Sequence, residues 1–246
     1  MIPETFTCDL VAWDYAVRLS RALAAKIRAS GYRPEMVIAI GRGGYVPARI
    51  VCDTLLLNAL TSIKIEHWGI AASKGREASI RYPLAVDVRG LNVLIIDDIT
   101  DTGSTLRLAA GYVEQFEPQE IRSGVLQHKR TSAFSPDYYA EYLADWKWVI
   151  YPWAAHEDLV GFTEKVISGQ ALTLAEIRAA LSCRYAIAVD DEEVTEALAD
   201  LLALGKVVEE GSRYRREAPD LRRAARHRSS RRRGRPAAEN HGTLQR

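Results

Sequence analysis

Two adjacent carboxylates, Asp97 and Asp98, close an apolar run, Val93-Leu94-Ile95-Ile96, and a third, Asp101, follows just before Thr102-Gly103-Ser104-Thr105. Carboxylates accept hydrogen bonds from hydroxyls and bind hard cations. A hydroxyl-rich turn opening a helix offers backbone N–H groups to a phosphate. Acids for sugar hydroxyls beside donors for a phosphate describe a site for a phosphorylated ribose. The apolar run reads as a buried parallel strand, and Leu106 to Phe116 reads as the helix after it. Acids at the carboxyl end of such a strand lie where open α/β sheets bind ligands.

Three other stretches carry candidate chemistry. Residues 38–49 read IAIGRGGYVPAR. The pair Gly43-Gly44 lets backbone approach a ligand closely, and Arg42 adds a fixed charge and a planar fork of donors. Together they could cradle a diphosphate. Residues 69–82, GIAASKGREASIRY, have no periodicity and read as a long basic loop carrying Lys74, Arg76 and Arg81. Such a loop could close over a diphosphate, and Arg76 is the residue chosen for that contact. Lys129 follows the apolar strand end Gly124 to His128, and residues 146–153, WKWVIYPW, hold three tryptophans in eight positions. Their large faces suit stacking on a base.

The elements that must position these groups follow from periodicity. Leu10 to Ser30 carries Val11, Tyr15, Leu19, Leu23 and Ile27 on one helical stripe and stops at Gly31. Met36 to Ile40, Thr61 to Trp68, Leu84 to Val88, Ile121 to His128 and Trp148 to Tyr151 read as strands. Val46 to Leu57 reads as a helix, and the polar His156-Glu157-Asp158 as a helix start. Strands alternating with helices predict an α/β fold, a parallel sheet covered on both faces. From about Gly169, two amphipathic helices (Leu172 to Leu181, Asp191 to Leu204) precede a small hairpin over 206–215. That order resembles a winged helix, and a helical oligomerisation appendage is the alternative. The expected division is 1–168, 169–215 and a basic tail at 216–246.

The strand, acid pair and D-T-G-S-T turn resemble the phosphoribosyl diphosphate (PRPP) signature of type I phosphoribosyltransferases, most like the 6-oxopurine enzymes for hypoxanthine, xanthine and guanine. The resemblance covers roughly residues 10–160. It implies the type I fold, with a small hood over a parallel sheet. It implies purine salvage, in which phosphoribosyl passes from PRPP to purine N9 with release of diphosphate and a nucleoside monophosphate. By resemblance, Asp97 and Asp98 hold the ribose hydroxyls, Asp98 also contacts Mg2+, and Asp101, Thr102, Gly103, Ser104 and Thr105 hold the 5′-phosphate. Asp101 is further placed to steer the N7 proton. Arg42, Gly43, Gly44 and Arg76 fall to the diphosphate. Lys129 falls to the purine 6-oxygen, Trp148 to stacking on the base, and the Val149 backbone to its edge. Tyr151-Pro152-Trp153 is similar to the Tyr-Pro-Trp of fungal and microbial hypoxanthine and xanthine enzymes. Ser104 stands where many hypoxanthine-guanine enzymes have lysine. A homodimer or higher homo-oligomer is also implied. Some proteins of this fold are instead regulators that sense PRPP or a nucleotide and bind DNA.

Composition frames these expectations. Of the net charge of +1, residues 216–246 hold ten arginines against three acids, a local +7 that leaves −6 for residues 1–215. The domain therefore has no nucleic-acid footprint, whereas the tail could bind nucleic acid or an acidic partner. The tail has few apolar residues and is expected to lack order. No apolar run approaches the length of a membrane span, and MIPETFTCDL has no basic stretch leading into an apolar core. Cys8, Cys52 and Cys183 have no metal-type spacing and leave an odd thiol, which fits a reducing cytoplasm.

Overall fold

The computed structural model describes residues 4–67 and 78–217. Most of the loop expected over 69–82, including Lys74 and Arg76, lies outside the described residues, as does the tail from 218. A six-stranded sheet has the order β4-β3-β2-β5-β6-β7. Its strands are β2 (Met36–Gly41), β3 (Leu60–His67), β4 (Ala78–Tyr82), β5 (Asn92–Thr100), β6 (Glu120–Lys129) and β7 (Tyr138–Leu143). All neighbours are parallel except β4, which pairs antiparallel with β3. The pleat sorts the apolar runs by parity. Val37 and Ala39 with Leu94 and Ile96 join one buried cluster, under helices α1 (Trp13–Ala29) and α2 (Tyr45–Leu55). Ile38 and Ile40 with Val93 and Ile95 join a second, which holds Leu106, Ala109 and Val113 of α3 (Ser104–Glu114). Continuous apolar strands are what a sheet covered on both faces requires.

Three expectations need correction. Leu84 to Val88 is not a strand; it follows Pro83 as irregular chain, anchored where Leu84 N–H donates to Tyr112 Oη at 3.0 Å. The end of the presumed loop is instead β4, whose residues gain order by pairing with β3. The first helix begins at Trp13, because Cys8–Leu10 forms a short strand, β1, parallel to β8 (Trp148–Ile150).

Beyond β8 come α4 (Ala155–Ile167), α5 (Leu174–Tyr185), α6 (Asp191–Ala203) and the hairpin of β9 (Val207–Glu210) and β10 (Arg213–Arg216). Leu172, between α4 and α5, bridges antiparallel to Tyr214 of β10. Both α5 and α6 open with a capping box, Thr173 with Glu176 and Asp190 with Glu193. A third apolar cluster joins Cys8, Ile150, Leu159, Phe162 and Val166 to Ile177, Leu181, Val194, Leu198 and Leu201. The core thus runs unbroken from β1, β8 and α4 into the C-terminal helices. Cys8 and Cys52 are buried free thiols and Cys183 is exposed. Among the described residues, no helix is long and apolar enough to cross a membrane.

Candidate active site

Strand β5 delivers Asp97 and Asp98 to the carboxyl edge of the sheet, between β2 and β6. Asp97 is buried, and its Oδ1 accepts from the Asp98 N–H at 3.0 Å. Burial pushes the Asp97 carboxyl well above the usual range; the neighbouring Asp98 charge adds to this and Lys64 opposes it. Burial also raises Asp98, against the pull of hydrogen bonds led by that from Trp153. The Trp153 Nε1–H donates to Asp98 Oδ2 at 3.1 Å, and the Tyr151 hydroxyl donates to the Asp98 carbonyl at 3.2 Å.

The turn after β5 leads into α3 through Gly103 in the left-handed region, φ +80°. A Cβ there would strike Ser132 and Phe134, so glycine is required by both conformation and space. Thr102 Oγ1 lies 2.9 Å from Ser104 Oγ, and the Thr131 hydroxyl donates to the Asp101 carbonyl at 3.1 Å. The Ala133 N–H donates to the Thr102 carbonyl at 3.1 Å. Hydroxyls and the first-turn N–H groups of α3 therefore gather at one helix N-terminus, a suitable anion site.

The Gly41-Arg42-Gly43-Gly44 segment joins β2 to α2 beside the acids. A Cβ on Gly43 would meet the Asp98 carboxylate, and one on Gly44 would meet the Ile96 carbonyl. The Arg42 guanidinium reaches α4, where it pairs with Glu157 at 2.5 Å, both side chains largely exposed.

At the end of β6, Lys129 is only 4% exposed, and its Nζ lies 3.4 Å from Asp101 Oδ2. Burial lowers its pKa while Asp101 pulls it back up. The ammonium also sits over the Trp146 ring, 5.3 Å from its centroid. The ring of Trp148 is engaged elsewhere, against Phe6 at 6.3 Å and edge-on to Phe162 at 6.1 Å. Val149 lies on β8 in register with Asp9. Asp97, Asp98, Asp101, the 102–105 turn, Gly43 and Lys129 are thus brought to one edge of the sheet. Arg42 adjoins them but is turned to Glu157. Trp146, Tyr151, Trp153 and Glu157 are site neighbours to which the sequence reading assigned no ligand contact. A signal existed for Trp153, since an indole N–H that enters a polar site must find an acceptor.

Comparison with known proteins agrees with this geometry. The phosphoribosyl transferase domain family matches residues 9–157. A xanthine-guanine phosphoribosyltransferase of Gluconobacter oxydans is 26% identical over 151 residues, 61% of this chain and 87% of that protein. The enzyme of the same name from a Ruegeria species is 35% identical over 108 residues, 40% of this chain and 60% of that protein. Among solved structures, a purine phosphoribosyltransferase from Pyrococcus horikoshii superposes with a TM-score of 0.53 at 29% identity, over 59% of this chain and 93% of that one. A Neisseria gonorrhoeae protein with bound ppGpp gives 0.53 at 25% identity, over 61% and 91%. The acid pair, the Thr102–Thr105 turn and the family match over residues 9–157 agree: this chain belongs to the phosphoribosyl transferase domain family, and within it is similar to the type I purine transferases.

Proposed function

We propose that this protein is a purine-salvage transferase that moves phosphoribosyl from PRPP to N9 of a 6-oxopurine. The observation that carries the reading is the meeting of Lys129, Asp101 and the Asp97–Asp98 pair at one edge of the sheet. In this reading N9 attacks the anomeric carbon, the bond from that carbon to the diphosphate oxygen breaks, and the diphosphate leaves. The Asp101 carboxylate takes the proton from N7. Asp97 and Asp98 hold the ribose hydroxyls, residues Asp101 to Thr105 the 5′-phosphate, and Arg42, Gly43 and Gly44 the diphosphate. The Lys129 ammonium donates to the 6-oxygen and disfavours adenine, which presents a donor there. The stacking role expected of Trp148 passes to Trp146, whose ring faces Lys129. The guanosine group of the ppGpp in the Neisseria structure supports guanine as a candidate base.

The acid pair fits Mg2+. It is a buried, mutually repelling pair of hard oxygen donors, and among the described residues no set of three His, Cys, Asp or Glu converges on a metal. An ion held through Asp98 would take its other ligands from PRPP and water, as magnesium does. When bound, it would neutralise charge on the diphosphate.

The order Leu172, α5, α6, β9, β10, with Leu172 paired to β10, supports reading 169–215 as winged-helix-like, packed against α4. Its charges disfavour a DNA-binding regulator. The exposed Asp191, Glu192 and Glu196 of α6 would repel phosphates, and Arg213, Arg215 and Arg216 pair with Glu176, Glu210 and Glu164. A homodimer or higher homo-oligomer is the expected assembly.

The test is product formation from PRPP and Mg2+ with hypoxanthine, guanine, xanthine, adenine and uracil. One or more 6-oxopurines should react and adenine should not. Asp101→Asn should lower kcat by about 100-fold or more and leave the KM for PRPP nearly unchanged. Silence on all five bases, with PRPP still bound, would favour the regulator.

A further inference from the structure

Tyr151 and Trp153 form a polar and aromatic frame behind the acid pair. Their rings stack at 4.7 Å between centroids, within 6° of parallel. Trp153 uses its one polar hydrogen on the Asp98 carboxylate, and the Tyr151 hydroxyl lies 3.2 Å from the Asp98 carbonyl. The Tyr151 hydroxyl also lies 2.9 Å from Gln127 Oε1. Gln127 Nε2 in turn donates to Glu141 Oε2 at 2.6 Å, and the Tyr15 hydroxyl donates to Glu141 Oε1 at 2.9 Å. Trp13 closes the frame, edge-on to Trp153 at 5.9 Å. From the opposite side Gly43 packs so close to the Asp98 carboxylate that a Cβ would not fit. One carboxylate is therefore gripped on two sides before any ligand arrives.

Such a grip matters because a carboxylate on a single strand end has free rotamers, and each must be given up when it binds a hydroxyl or a cation. An indole N–H held by a stacked ring is a stiff donor, and a site held by a rigid second layer binds better than one that must be ordered. A donor on Asp98 also offsets repulsion from Asp97 next to it.

We infer that Trp153 and Tyr151 are positioning residues that hold Asp98 in its ligand-ready orientation, so that the Tyr-Pro-Trp segment serves PRPP affinity. The inference rests on the transferase reading for its ligand, PRPP. It predicts that Trp153→Phe, which keeps an aromatic ring against Tyr151 but loses the five-membered ring with its N–H, raises the calorimetric Kd for PRPP in Mg2+ about tenfold. Tyr151→Phe should raise it less. The KM for the base should stay close to wild type in both, and both should remain folded with a cooperative melt. Loss of thermal stability with unchanged PRPP affinity in the folded variants would mean a packing role only and would overturn the inference. Wild-type protein that fails to bind PRPP would instead overturn the transferase reading, and with it this role. Wild-type binding matched by both variants would sink the positioning role alone.

Discussion

Asp158 sits in the first turn of α4, half buried beside Trp148, and its carboxyl is raised to about 6, chiefly by burial, with the Trp148 indole N–H pulling the other way. A carboxyl raised on folding means that the folded state binds the proton more tightly than the unfolded chain. Its favourable contribution is complete below the ordinary value of 3.8 and is lost as pH rises through about 6. Asp158→Asn removes this titration. The variant should melt a few degrees above wild type at about pH 7.5, and the gap should narrow as pH falls below about 6, closing only toward the ordinary value of 3.8. Thermal melts across that range check it. A gap independent of pH would assign the effect to packing.

At the scale of elements, β8 and the segments on either side of it distribute three tryptophans among three tasks. Trp148 fills the apolar cluster, Trp146 covers Lys129 and Trp153 braces Asp98. Trp148→Ala should therefore cost stability, roughly 3 kcal/mol, with a modest change in base KM. Trp146→Ala should raise base KM about tenfold at nearly constant melting temperature. Steady-state kinetics and thermal melts of both variants decide it, and the reverse pattern would return stacking to Trp148. The division was hidden in the sequence because all three residues have the same chemistry. Only the pairing of β8 with β1 fixes which ring turns inward. The acid pair and its turn were legible because an apolar run, two carboxylates and a glycine at positive φ are local requirements. Edge strands were harder. Tyr138–Leu143 went unread although its tyrosines suit a strand, and Ala78–Tyr82 lay hidden in a basic stretch, since pairing with a neighbour gives it its order. Leu84 to Val88 shows the opposite error, where apolar content without a pairing partner makes no strand.

At the scale of the molecule, the cluster that crosses from α4 into α5 and α6 ties β1, β8 and α4 to the C-terminal unit. The His156 Nε2 to Asp200 Oδ2 contact at 2.7 Å and the Lys206–Glu164 pair at 2.7 Å lie over the same joint. Stopping the chain after Ser168 would uncover Leu159, Phe162 and Val166 and remove Ile177, Leu181, Val194, Leu198 and Leu201. At about 1.5–3 kcal/mol for each buried side chain, that loss rivals the whole stability of a domain. The shortened protein should aggregate or lose its cooperative melt. A chain ending at Glu217 keeps every described contact and should melt within about 2 °C of the full chain. A soluble, active 1–168 fragment would refute the shared core. The same joint sets an order of assembly during synthesis. Phe6 packs on Trp148, Phe162 and Tyr185, and its N–H donates to the Arg184 carbonyl at 3.0 Å. Phe6 thus has docking partners made some 140 to 180 positions after it. The docking of Phe6 must therefore wait until α5 has been made, after every strand from β2 to β7.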